Sequence, residues 1–148
     1  MTSLIIYHAG QHRNTEKIAK AMAAVLGADC KRTHEVSPNT ILDYDLVGFG
    51  AGIYFGKHHA ILLKFIDRLP SSNKDFFIFS TSGMGSTRFH EHLKNKLSKK
   101  GYEFIGEFAC KGFDTFGPFK LIGGLNKDRP NNLDLENAKK FASTLKNR

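Results

Sequence analysis

Leu4-Ile5-Ile6-Tyr7, then His8-Ala9-Gly10-Gln11-His12-Arg13-Asn14, then Thr15-Glu16-Lys17-Ile18-Ala19-Lys20 is the stretch whose reading decides the fold. A short apolar run fits a buried parallel strand, covered on both faces. The polar turn after it exposes backbone N–H groups, and the helix that follows aims its positive dipole end at the same place. Strand, compact loop and helix start together make an anion-binding arrangement. The opening therefore predicts an α/β domain with a phosphate-bearing ligand.

Working outward, apolar runs and helical patterns alternate, as in a parallel sheet with helices on its faces. The strands are expected at Leu4–Tyr7, Asp29–Thr33, Leu46–Phe49, Phe76–Phe79 and Phe104–Cys110. Lys31 and Arg32 within the second place it at a sheet edge. Ile18, Met22, Val25 and Leu26 form the stripe of a first helix, with Asn14 as its N-cap and Gly27 as its stop. Leu62, Phe65, Ile66 and Leu69 mark a second helix, ended by Pro70. Phe89, Leu93 and Leu97 mark a third, stopped by Gly101, and the last starts near Asn132 and buries Leu135, Ala138, Phe141 or Ala142, and Leu145. A short helix is expected near Pro38, within a long stretch from Thr33 to Tyr44. The second long stretch, Lys111 to Asn131, is rich in Gly, Phe and Pro. The expectation is one α/β domain over 1–148, a three-layer sandwich with five parallel strands in the order 2-1-3-4-5. Its ligand crevice lies where the connections of strands 1 and 3 diverge.

Composition narrows the function classes. The 148 residues carry 22 Lys and Arg against 14 Asp and Glu, a formal net charge of +8. That balance favours an anionic partner or ligand. The lysine clusters at 94–100 and 139–140 read as solvated helix faces, and neither zinc-finger spacing nor the aromatic-basic interleaving of RNA binders appears, so no nucleic-acid partner is expected. The two cysteines, Cys30 and Cys110, are far apart and read as reduced buried thiols of a cytoplasmic protein. No apolar run is long enough to span a membrane, and no signal peptide is expected. No Ser-His-Asp set, GxxxxGK[ST] loop or HExxH motif is legible, and no metal site or catalytic residue is assigned. His58 and His59 read as surface or helix-start residues, and His90 and His92 as solvent residues.

The candidate site residues are those just past each strand. The first loop offers His8, Gly10, Gln11, His12, Arg13, Asn14 and Thr15. His8 and His12 either contact ligand or cap backbone. The loop after strand 3 offers Ala51, Gly52, Ile53, Tyr54, Phe55 and Gly56, small residues for close approach followed by two aromatic rings. Thr81, Ser82, Gly83, Met84 and Gly85 follow strand 4, and Gly112 and Asp114 follow strand 5. Asp114 meets either a ring edge or its own turn. The set suits a flat aromatic ligand with a phosphate tail.

These loops resemble those of the flavodoxin family. The matching stretches are Asn14-Thr15-Glu16-Lys17-Ile18-Ala19, Tyr44-Asp45-Leu46-Val47-Gly48-Phe49-Gly50, Gly52-Ile53-Tyr54-Phe55-Gly56, Phe79-Ser80-Thr81-Ser82-Gly83 and Cys110-Lys111-Gly112-Phe113-Asp114-Thr115, in order along the chain. The resemblance implies noncovalent FMN and an electron-transfer protein that works as a monomer between redox partners. Here His8 and Ala9 stand where the family usually has hydroxyls, Gly10 replaces another, and Arg13 takes a glycine position. Two lost hydroxyl donors weaken phosphate binding by about 1–3 kcal/mol. Arg13 either returns some of that through a charge-assisted contact or fills the site. Ala51 and Gly52 replace a commoner Ser-Pro pair. The net charge, unlike that of the generally acidic family, favours the anionic reduced flavin and a redox partner with an acidic docking face. Two alternatives stay open: an oxidoreductase of the flavodoxin-like protoporphyrinogen oxidase type, which the segment from Tyr44 to His59 also resembles, and a flavin-free binding domain.

Overall fold

A computed structural model describes residues 1–10, 12–113 and 121–146. The strands are β1 (Ser3–Tyr7), β2 (Asp29–Arg32), β3 (Leu46–Tyr54), β4 (Lys57–His58), β5 (Asp75–Ser82) and β6 (Glu103–Lys111). The helices are α1 (Asn14–Leu26), α2 (Ala60–Asp67), α3 (Glu91–Lys99) and α4 (Asn132–Lys146). Short 3-10 turns cover Thr33–Glu35, Pro38–Asp43 and Thr87–His90.

The main sheet runs β2-β1-β3-β5-β6, all parallel. This is the expected five-strand order, with β5 and β6 as the fourth and fifth strands. One element is additional: β4, two residues long, pairs antiparallel with the end of β3. It was not legible because its pairing depends on a turn at Phe55-Gly56, and two residues carry no alternation to read.

Alternate residues of the strands feed two cores. Leu4, Ile6, Val47, Phe49, Phe76 and Ile78 pack under α2 and α3 with Leu62, Phe65, Ile66, Leu93 and Leu97. Ile5, Phe77 and Phe79 pack under α1 and α4 with Ile18, Met22, Ala138, Ala142 and Leu145. Central strands buried on both faces are mostly apolar, and residues 4–7 of β1 are buried at every position. The second core also depends on two glycines. Gly48 and Gly50 lie in register opposite Phe77 and Phe79. A Cβ at either position would fall 2.2 Å from the neighbouring ring. Their missing side chains are the space that the phenyl rings occupy.

The charged strand β2 is indeed at the edge. It is tied down by Glu16, whose carboxylate accepts from Tyr7 Oη at 2.8 Å and Arg32 Nη2 at 2.7 Å. Arg32 foremost, and then Tyr7, hold the Glu16 carboxyl below its ordinary range. Gly27 ends α1 at φ 64°, its N–H bonded to Ala23 O. Cys110 is buried and Cys30 half-buried, and both thiols are free. Among the described residues no helix is long and apolar enough to cross a membrane.

Candidate functional site

Parallel strands bring the loops after β1, β3, β5 and β6 to one crest of the sheet. The first loop is fastened by its backbone: His8 N–H donates to Gly50 O at 3.0 Å, and Arg13 N–H to Gly10 O at 3.1 Å. Arg13 takes the left-handed conformation, φ 55°, that turns the chain into α1. Its side chain turns to Glu16, with Nε 2.9 Å from Glu16 Oε2. Asn14 is not the N-cap, which corrects the sequence reading: Arg13 caps α1 without a side-chain bond, and Asn14 is the first helical residue. Its amide reaches across instead, Nδ2 donating to Phe113 O at 2.8 Å. The helix entry is thus braced from the loop after β6, a contact between residues 99 apart in sequence.

β3 continues to Tyr54, so Ala51 to Tyr54 are strand rather than loop. Pairing with β4 extends the strand through a glycine-rich segment that reads as a turn. Ala51 is fully buried in the α2–α3 core. Ile53 pairs with His58, and the chain reverses at Phe55 and Gly56, at φ 55° and 80°. Two successive positive φ angles make a hairpin turn matched to strand twist. Phe55 stands 87% exposed at its tip. In the third loop Ser82 Oγ accepts from Gly85 N–H at 2.8 Å, and Met84 is exposed. Asn126, from the last long connection, donates to Gly83 O at 2.9 Å and braces this turn.

Rings gather between the first two loops. His8 lies 4.3 Å from His59, centroid to centroid, and Tyr54 meets His59 edge-on at 5.0 Å. The Tyr54 hydroxyl lies 3.6 Å from where a Cβ at Gly10 would sit. His12 packs 4.2 Å from Phe113. Gly112 is pressed against Asn14, whose amide would lie 2.7 Å from an added Cβ. Thr15 Oγ1 and Thr81 Oγ1 share a buried hydrogen bond of 3.0 Å. Such a pair uses one of its two hydroxyl hydrogens and leaves the other to donate.

A model described as a flavodoxin domain matches residues 4–113. The chain belongs to the flavodoxin family. It is 53% identical over 150 residues to an uncharacterised protein of Methanocaldococcus jannaschii, covering 99% of this chain and all of that one. Among solved structures it is similar to a flavodoxin from the domain Archaea, at TM-score 0.75 and 13% identity, with 99% and 97% of the two chains covered. It is also similar to a flavodoxin of Streptococcus pneumoniae, at TM-score 0.72 and 18% identity, over 98% and 97%.

In this chain the crest assembles His8, Gly10, His12, Arg13, Asn14 and Thr15 with Tyr54, Thr81 and Gly112, while Phe55, Gly56 and Met84 are exposed on loops at the same end. Gln11 and Asp114 lie outside the described residues. Burial first, and then His59, Arg32 and His34, hold His8 below the ordinary histidine range; burial does the same for His59. The residues fit a phosphorylated ring ligand on one direct observation. Asn14 Oδ1 is buried and has no hydrogen-bond partner. Because Nδ2 is committed to a carbonyl, the orphan is an acceptor, and it needs a donor such as a ligand hydroxyl. Burial raises the Cys110 thiol to about 12, which removes it as a nucleophile near the crest.

Two histidines correct the sequence reading outright. His58 is 1% exposed and His90 0%, beneath the β4 hairpin and not in solvent. Their rings lie 5.0 Å apart. His90 Nε2 is 2.6 Å from Ser80 Oγ and its Nδ1 is 2.9 Å from Glu107 Oε1. The carboxylate accepts from Nδ1–H, and the Ser80 hydroxyl then donates to Nε2. This has the connectivity of a Ser-His-acid set, which no motif announced, because strands β5 and β6 and the turn before α3 supply one member each. With Ser80 fully buried, no substrate carbonyl reaches its oxygen. The three residues bridge layers of the fold and do no acyl chemistry.

Proposed function

We propose that this flavodoxin-family protein binds FMN noncovalently at the crest and passes electrons between redox partner proteins. The observation that carries the reading is the buried, unpaired Asn14 Oδ1 at the entrance of α1. It pairs an acceptor for a ribityl hydroxyl with a helix N-terminus for the phosphate. FMN supplies the redox chemistry when bound. The chain holds the phosphate on the N–H groups of Asn14, Thr15 and Glu16, which have no intrahelical partners at a helix start. Arg13 and Arg32 keep the neighbourhood positive while Glu16 fixes their guanidinium groups. Tyr54 and Phe55 offer aromatic surface to the ring, and exposed Met84 lies on the loop after β5. A partner that exchanges electrons here presents an acidic face to a chain of net charge +8.

The absorption spectrum of the purified protein, before and after adding FMN, tests the reading. Uptake of one FMN per chain is expected, with Asn14→Leu weakening affinity by at least about fivefold. A protein that carries no flavin absorbance once excess FMN has been removed overturns it.

A further inference from the structure

Beside the crest, Tyr54, Phe55 and His59 join residues of β4, α2 and α3 in lining an open cleft of about 410 Å³. Its volume is in the range of small-molecule sites. Leu63 and His58 are buried in its wall, 8% and 1% exposed. Lys57, Lys64 and Lys96 line it too, and Asp67 is the one carboxylate among the lining residues. Asp67 is bonded to Lys96 Nζ. The charges of Lys57 and Lys64 therefore face the cleft with no counter-charge in its lining.

His58 supplies a second, independent observation. Its Nε2 is 3.1 Å from Phe79 O. A carbonyl only accepts, so the proton sits on Nε2 and Nδ1 is a bare lone pair. That Nδ1 is buried and has no partner. A buried acceptor left unpaired is costly, and a donor entering the cleft relieves it. Burial keeps the ring neutral, pulling His58 down to about 3, so Nδ1 remains an acceptor at neutral pH.

We propose that this cleft binds a small organic anion with a carboxylate at one end and a hydroxyl at the other. Lys57 and Lys64 meet the carboxylate, His58 Nδ1 accepts from the hydroxyl, and Leu63 lies against a short apolar body. A hydroxyaryl carboxylate has this chemistry. The cleft shares Tyr54, Phe55 and His59 with the crest, so its test is run on the flavin-free chain.

The test uses the full chain without added flavin and two probes, 4-hydroxybenzoate and benzoate. Calorimetric titration is expected to show saturable binding of 4-hydroxybenzoate and about tenfold weaker binding of benzoate. In ¹⁵N spectra the His58 Nδ1 resonance moves with the first probe and not with the second. Lys57→Ala and Lys64→Ala, both changes at exposed positions, each weaken both probes by about two- to fivefold. Equal affinity for the two probes, no saturable binding up to about 10 mM, or binding that leaves His58 unmoved would each overturn the proposal.

Discussion

Phe55 sits at φ 55°, a backbone region that a bulky side chain rarely enters, yet its ring is 87% exposed. Nothing in burial rewards that conformation, so the strain is held by the Tyr54–Lys57 turn for another use. Replacing it with Asn gives the Asn-Gly pair that hairpin turns of this kind prefer. Phe55→Asn is expected to raise stability by about 0.5–1 kcal/mol in urea unfolding and to weaken FMN binding in fluorescence titration. Unchanged FMN affinity would remove Phe55 from the ring site. That a strand leads into the aromatic pair between Gly52 and Gly56 was legible from the sequence. The positive φ was not, because the turn pairing that imposes it is a property of β4.

Between elements, the histidine bridge under the β4 hairpin sets the acid response. Burial foremost holds His90 down to about 4, with Lys94 adding to it, and holds His58 near 3. Both pKa values lie below the unfolded value of about 6.5. Below that pH the unfolded chain takes up protons that the folded chain refuses. Stability is therefore complete above about pH 6.5 and falls toward pH 4, by about 1.4 kcal/mol per pH unit for each histidine. Urea midpoints measured at pH 7.5, 6, 5 and 4 check this, and His90→Gln is expected to flatten the slope whatever it does to the midpoint at pH 7.5. An equal slope in the variant would place the acid sensitivity elsewhere. Helical stripes, apolar strands and the edge position of β2 all followed from periodicity and charge. The buried histidines did not, because His58 lies on a two-residue strand and His90 ends a 3-10 turn, and neither element has a readable period. The Asn14–Phe113 brace escaped for a related reason: Asn14 has the composition of a cap and spends its amide on a distant loop.

At the scale of the whole molecule, the charge of +8 acts on any bound flavin through the summed field. An anionic reduced ring is stabilised by that field, so the midpoint of the final reduction step is expected above that of an acidic flavodoxin under the same salt. A spectroelectrochemical titration measures it, and an equally low potential would show that local groups outweigh the field. The difference should shrink as salt is added, because the Debye length falls from about 10 Å at 0.1 M to about 3 Å at 1 M. The order of the five main strands was readable because each βα unit announces itself. The loops that build the crest were readable as the residues just past each strand, but the contacts between them, such as Asn14 to Phe113, were not, because sequence order hides them.

The two glycines of β3 carry a last implication, for how such a chain diverges. Gly50 and Phe79 fill one volume between them, as do Gly48 and Phe77. A methyl group cannot be added on one strand until the ring across from it has been trimmed, so a single step in either partner passes through an overfilled or hollow interior. Descendants that alter one member should alter the other with it, and Gly50→Ala combined with Phe79→Leu should be less damaging than the sum of the two changes made apart.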